Sequence, residues 1–275
     1  MTSADLLAFL PLALGLLTTG VIAGLLAGLL GVGGGIVIVP VLFHIFTGLD
    51  VDEAIRMHLA VGTSLATIIP TSIRSMRAHA AKGAVDFDIM KAWGLPILIG
   101  VAIGAWAAAR ADGRVLTGIF ATFALLAAFN LAFSRESWRL GAQLPSRPVQ
   151  SVMAGAMGVL STMMGIGAGT FGVTIMTLFN VAIHRAVGTA AGLGIFIAIP
   201  GTIGFLISGA DVPGRPLFSV GYINLVGFAF IAVATVAAAP YGVKLAHALP
   251  KATLKKAFAF FLVLTSARMF WSLVG

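Results

Sequence analysis

Two glycine clusters and three hydroxyls are the residues of this chain best suited to hold a ligand. Gly31-Val-Gly-Gly-Gly35 and Gly165-Ile-Gly-Ala-Gly169 each stand between apolar runs. Glycine costs about 1 kcal/mol per residue relative to alanine in a helix interior, so each cluster stops a helix and frees backbone N–H and C=O groups. A helix that restarts after such a break presents unpaired N–H groups and the positive end of its dipole, which together favour an anion. Thr63 and Ser64 beside Gly62, and Thr189 beside Gly188, add hydroxyl donors. The candidate ligand set is therefore Gly31, Gly33, Gly34, Gly35, Thr63, Ser64, Gly165, Gly167, Gly169 and Thr189. Two plainer roles compete with it: glycines let helices approach closely, and Thr or Ser hydroxyls bond back to the preceding turn. A nucleotide loop is the weakest reading, because Gly31-x-Gly33 lacks a preceding soluble strand and has helix-forming apolar runs on both sides.

The elements that position these residues lie in a membrane. The chain is 59% hydrophobic and 9% charged, against roughly 25% charged for soluble domains. At about 20 residues per span, 275 residues allow at most about ten crossings and no separate catalytic domain. In lipid, irregular backbone survives only where protein or a wet cavity surrounds it, which makes the two breaks interior features. The first apolar run, Leu6 to Leu30, is too long for a signal segment and follows Asp5, so it reads as a retained helix. The chain has no cysteine, which excludes disulfides and thiolate chemistry. The net charge of +8 reflects Lys and Arg collected in cytoplasmic loops, not nucleic acid binding.

Apolar segments run from Leu6 to Leu30, Ile36 to Gly48, Leu59 to Ile73, Ala92 to Ala109 and Val115 to Phe133, then from Val149 to Met164, Thr170 to Ala182, Val187 to Ser208, Val220 to Leu245 and Leu254 to Leu273. The two sets correspond one to one. His58-x-Ala60-Val-Gly-Thr63 returns as His184-x-Ala186-Val-Gly-Thr189, Ile69-Pro70 as Ile199-Pro200, and Leu116 to Phe120 matches Leu254 to Phe258. Internal duplication is the mark of transporter folds. The expected architecture is an all-α membrane protein of 8–10 membrane segments. Two inverted repeats, 1–133 and 150–275, flank a linker at 134–149, and each holds a glycine-broken helical hairpin and three spanning helices. Ile36 to Gly48 and Thr170 to Ala182 are too short for full spans and are either half-helices of a re-entrant hairpin or short steep crossings.

Orientation follows from the basic residues. With an odd number of crossings per half, Arg74, Arg77, Lys82, Lys91, Arg135, Arg139, Arg147, Arg185, Lys244, Lys251, Lys255 and Lys256 share one side, and Arg56, Arg110, Arg114 and Arg215 the other, twelve against four. An even number divides them eight and eight, so the odd arrangement is favoured: linker cytoplasmic, both termini outside.

A glycine-rich break with Pro40 soon after it, then Ala60-Val-Gly-Thr-Ser64, then the same again, resembles the TauE/SafE sulfite-exporter family, and the resemblance covers nearly the whole chain. In the second half Ala168 interrupts the glycines, Thr174 stands in place of the proline and Ala190 in place of the serine, so the halves are not expected to offer identical ligands. The resemblance implies export of a small sulfur oxyanion or organosulfonate, such as sulfite, across a bacterial inner membrane. A passive anion channel, an uptake permease of the same fold and a scaffold subunit are the alternatives.

The remaining residues fit an anion carrier. All nine carboxylates (Asp5, Asp50, Asp52, Glu53, Asp86, Asp88, Asp112, Glu136 and Asp211) fall in termini or loops, which argues against a carboxylate ion relay, a cationic substrate and hydrolase chemistry. Arg268 is the one strongly basic residue well inside an expected helix, and Asn130 is its partner in the repeat; both join the candidate set. His44, His58 and His184 show no metal-ligand spacing, and no cofactor is implied. Gly20, Gly24, Gly28, Gly100 and Gly104 form small-xxx-small rows for helix packing. Trp93, Trp138 and Trp271 fall near segment ends or in the linker, as an interfacial belt requires, with Trp106 less clearly placed.

Overall fold

The computed structural model describes residues 3–30, 34–133, 138–245 and 251–274. Gly31 and Gly33, two of the candidate ligands, lie outside the described residues. The helices are α1 (Ser3–Leu30), α2 (Gly35–Gly48), α3 (Glu53–Ala80), α4 (Phe87–Ala108), α5 (Gly113–Phe133), α6 (Arg147–Met164), α7 (Gly169–Leu178), α8 (Ile183–Ser208), α9 (Leu225–Leu245) and α10 (Lys251–Val274). Five are long and apolar enough to cross a membrane: α4, α5, α8, α9, and α1 over Leu10–Leu29. Leu95, Ile99, Phe129, Ile207, Val233 and Phe260 are exposed on these and on α10, where only lipid suits them. The chain is an all-α, multi-pass membrane protein.

The longest buried element is one that hydropathy alone passes over. α3 carries Glu53, Arg56, Arg74 and Arg77 near its ends and a run of hydroxyls between. It is nevertheless enclosed along most of its length by α2, α5, α8 and α9. Its hydroxyls stay inside because they find partners there: Thr67 bonds to the Ser64 carbonyl at 2.7 Å, Thr71 to the Thr67 carbonyl at 2.7 Å, and the Thr71 and Thr235 hydroxyls lie 2.8 Å apart.

Small residues bring the two halves together. Gly20, Gly24 and Gly28 of α1 meet Ala234, Thr235 and Ala239 of α9 in ascending order, so these helices run parallel and nearly touch backbone to backbone. Gly100 and Gly104 of α4 meet Gly155 and Val159 of α6 in the same sense. Each half thus lends its first helix to the fourth helix of the other.

Two ends of the bundle separate clearly. At one, Arg114 pairs with Glu53 at 3.5 Å and donates to the Leu273 carbonyl at 2.5 Å, while His58 Nε2 lies 3.0 Å from the Ala108 carbonyl. His58 also stacks on Tyr222 with ring centroids 4.8 Å apart. At the other, Asp86, Arg147, Asn180 and Arg185 line a common cleft. Arg56, Arg110, Arg114 and Arg215 belong to the first end; Lys82, Arg147 and Arg185 belong to the second.

Most expected segments reappear with ends moved by a few residues. α3 extends beyond Leu59 to Ile73 at both ends because Asp52 caps its first turn, accepting from the Ala54 N–H at 2.9 Å. α9 begins at Leu225, not Val220. Residues before it form a two-residue hairpin, β1 (Ser219–Val220) with β2 (Ile223–Asn224), about Gly221 at φ 55°. Trp93 is not interfacial. It is fully buried, its Nε1 donating to Gln150 Oε1 at 3.0 Å, and it ties α4 to α6. Trp106, Trp138 and Trp271 are exposed.

The glycine contacts give a stability test. A Cβ at Gly100 would run into the Gly155 carbonyl, whereas one at Gly15, on the outer face of α1, meets nothing within 4 Å. Gly100→Ala lowers the thermal unfolding temperature in detergent; Gly15→Ala leaves it unchanged or raises it, alanine being favoured by about 1 kcal/mol in a helix.

Candidate functional site

The second break is built by the end of α6. Gly165 takes the left-handed conformation, φ 67°, and closes the helix: its N–H bonds to the Thr162 carbonyl at 3.2 Å and the Ile166 N–H to the Ser161 carbonyl at 2.9 Å. This two-bond cap satisfies the last carbonyls of α6 and turns the chain, and an L side chain at Gly165 would strain it. Ala168 then caps α7, whose first hydrogen bond runs from the Gly172 N–H to the Ala168 carbonyl at 2.7 Å. The N–H groups of the first turn of a helix have no partner within it. At the first break Gly34 is also left-handed, φ 79°, and its carbonyl accepts from Val37 and Ile38 at 3.0 and 3.1 Å to start α2.

The structure brings the two breaks into contact. A Cβ on Gly35 would collide with the Gly165 carbonyl oxygen and lie 2.9 Å from Ile166 Cα. A Cβ on Gly165 would lie 2.8 Å from Val61 Cα, so the junction is seated on the middle of α3. Ser64 locks it there: its hydroxyl donates to the Gly165 carbonyl at 2.7 Å. Gly34, Gly35, Ser64 and Gly165 are thus gathered at one place, with Gly167 and Gly169 immediately beyond in the chain.

Thr63 and Thr189 face away from this junction, toward the starts of α9 and α4 respectively. The Thr63 hydroxyl accepts the Asn224 N–H at 2.9 Å, and the Thr189 hydroxyl accepts the Asp86 N–H at 2.8 Å. Asn224 caps α9 by accepting the Gly227 N–H at 2.8 Å; Asp86 caps α4 by accepting from Asp88 and Ile89 at 3.0 and 3.1 Å. The preceding glycines complete the match, since Gly62 abuts the Tyr222 carbonyl and Gly188 the Ala84 carbonyl. Each Gly-Thr pair therefore docks the start of a helix from the other half. At the Thr189 end Arg185 adds an ion pair with Asp86 at 2.9 Å, the Asp86 side chain being only 12% exposed.

Asn130 and Arg268 occupy the outer pair α5 and α10. Asn130 is half-buried, and its amide lies 3.4 Å from the Thr174 hydroxyl of α7; Arg268 is exposed and acts electrostatically on His44 of α2. Each lies near the short helix of the opposite half, and among the described residues no hydrogen bond brings either to the Gly35–Gly165 junction. Sequence reading missed the capping roles of Asp86 and Asn224, whose signal is only that each precedes an apolar run by a few residues. It also missed Ser72, Ser161 and Thr170, buried hydroxyls without a hydrogen-bond partner near the second break.

With this geometry in hand, the comparisons with known proteins are decisive for family. The family described as sulfite exporter TauE/SafE matches residues 16–269. The chain belongs to that family. A "Probable membrane transporter protein" of Haemophilus influenzae is 34% identical over 255 residues, covering 92% of this chain and 96% of the relative. Proteins with the same description from Methanocaldococcus jannaschii and Bacillus subtilis are 27% and 29% identical, covering 86% and 85% of this chain and 84% and 90% of their own lengths. No solved structure matches it. This TauE/SafE protein is a membrane transporter.

The docking threonines make a second test. Thr63→Val and Thr189→Val keep shape but orphan a buried N–H, so each costs about 1–3 kcal/mol of stability. The expected result is a lower unfolding temperature for both, and smaller losses for Thr63→Ser and Thr189→Ser.

Proposed function

We propose that this transporter exports a small sulfur-containing anion, sulfite or an organosulfonate, from the cytoplasm across a bacterial inner membrane. In this reading residues 1–133 and 150–275 are inverted halves, the linker at 134–149 is cytoplasmic, and both termini are outside. The observation that carries it is the contact of Gly35 with Gly165, which sets the start of α2 against the turn that leads into α7, on α3 in the protein interior. Two helix N-termini, each equivalent to roughly half a positive charge, suit one monovalent anion. The Asn224 and Asp86 docking points, one per end, suit rocking of one half against the other. The cleft of about 560 Å³ lined by Gln143, Arg147 and Arg185 beside Asp86 would be the cytoplasmic mouth, its guanidinium groups drawing anions inward.

Buried charge bears on the energy source. Among the residues whose side chains are described no Asp, Glu, Lys or Arg is buried, which leaves no buried carboxylate among them to carry a coupling proton or sodium ion. Moving one negative charge outward down an inside-negative potential yields about 2.3 kcal/mol per 100 mV, enough to expel a monoanion unaided. The protein in liposomes clamped with potassium and valinomycin should release labelled sulfite at a rate that rises with an inside-negative potential. It should also accumulate label against trans unlabelled sulfite. Flux that ignores voltage but follows a pH or sodium gradient would replace uncoupled export with coupled transport, and conductance without counterflow would make the protein a channel.

A further inference from the structure

The hydroxyls of the sequence motif already have partners in the fold: Ser64 donates to the Gly165 carbonyl, while Thr63 and Thr189 accept backbone N–H groups at helix starts. Other buried hydroxyls have no partner: Ser72, Ser161 and Thr170 around the second break, and Ser75, Thr202 and Ser266 besides. Ser72 on α3 is 1% exposed and Ser161 on α6 is 0% exposed, and neither hydroxyl has a hydrogen-bond partner. The Thr170 hydroxyl, in the first turn of α7, is also buried without a partner. A buried hydroxyl left unpaired costs on the order of 1–3 kcal/mol, so a group of them beside one helix start calls for an occupant.

Position ties Ser72 to that helix start. The point where a Cβ on Gly194 of α8 would stand is 2.7 Å from Ser72 Oγ and 3.9 Å from the Ala168 amide nitrogen. Gly194 is therefore the notch that lets the Ser72 hydroxyl approach the N-terminus of α7. Ser161 belongs to the last turn of α6, where its carbonyl already accepts the Ile166 N–H, so its side chain leaves the helix just before the break. Three unpaired hydroxyls and the free first-turn N–H groups of one helix make a donor set with no compensating base.

We propose that the transported anion is seated at the N-terminus of α7, with the Ser72 hydroxyl as its principal side-chain donor and Ser161 and Thr170 beside it. This deepens the reading of the protein as an anion transporter and rests on it. The seat selects by charge. Its donors are neutral hydroxyls and helix dipoles, and no Lys or Arg is buried among the residues whose side chains are described. One or two helix termini supply about half to one positive charge in all, which balances a monoanion and leaves a dianion under-compensated in a low dielectric. The ligand class is a monovalent oxyanion with several acceptor oxygens, such as an alkyl sulfonate, in preference to sulfate.

Methanesulfonate is the probe, with sulfate as competitor, on purified protein in detergent and in liposomes. Wild type should bind and transport methanesulfonate, with sulfate at least tenfold weaker. Ser72→Ala should raise both the dissociation constant and the half-saturating concentration by roughly tenfold, the loss of one hydrogen bond to a charged group. Ser72→Thr should restore them in part, and Gly194→Ala, which crowds the Ser72 hydroxyl, should mimic Ser72→Ala. Ser266→Ala removes another unpaired buried hydroxyl, on α10, and should change neither constant. An unfolding temperature for ligand-free Ser72→Ala no lower than that of wild type excludes misfolding as the cause. If Ser72→Ala matches wild type within twofold, or if sulfate competes as well as methanesulfonate, the seat is wrong while the transporter reading stands. If wild type neither binds nor moves sulfite, methanesulfonate or sulfate, both fall together.

Discussion

A backbone N–H or C=O placed in hydrocarbon must find a partner within the protein, and the rest of this structure follows from that requirement. Two helices are broken where glycine makes continuation costly. The carbonyls released at the second break go to the cap formed by Gly165 and Ile166 and to the Ser64 hydroxyl. The N–H groups at the start of α7 have no partner within the helix. On the proposed reading, this asymmetry is what would make the interior suit an anion and not a cation.

The same requirement explains the polar character of α3. A helix in the centre of a bundle has no lipid-facing side, so its side chains answer to neighbouring helices alone. Ser64 holds the break, Thr63 holds the start of α9, and Thr71 meets Thr235. Close approach does the remainder: wherever two backbones touch, at Gly24 and Thr235 or at Gly100 and Gly155, a methyl group would not fit. Packing of this kind is decided by shape and not by hydrophobicity, because lipid competes equally for apolar surface.

Much of this was legible from residue order. The glycine clusters named the breaks, the duplicated Gly-Thr pairs named equivalent positions on α3 and α8, and the brevity of α2 and α7 followed from their apolar runs. The role of those pairs was not legible. Thr63 and Thr189 read as ligand donors because a hydroxyl beside a glycine suits both an anion and a backbone amide, and only tertiary position shows that each also accepts a backbone N–H, from Asn224 and Asp86. Trp93 read as interfacial because it sits near the start of its apolar run, and nothing local shows that Gln150 of a distant helix receives its indole. Ser72 gave no signal at all. Its significance depends on Gly194 and Ala168, which are far from it in the chain and meet it only in the fold.

The central claim is that two halves of opposite orientation interlock so that their breaks meet on α3. The absence of native cysteine makes the direct measurement simple. Single cysteines at Leu49, in the exposed α2–α3 turn, and at Gln143, in the cleft beside Arg147, are probed with membrane-impermeant thiol reagents in intact cells and in inverted vesicles. The account predicts that Leu49→Cys reacts only from outside and Gln143→Cys only from the cytoplasmic face. Reaction of both from the same side would contradict it.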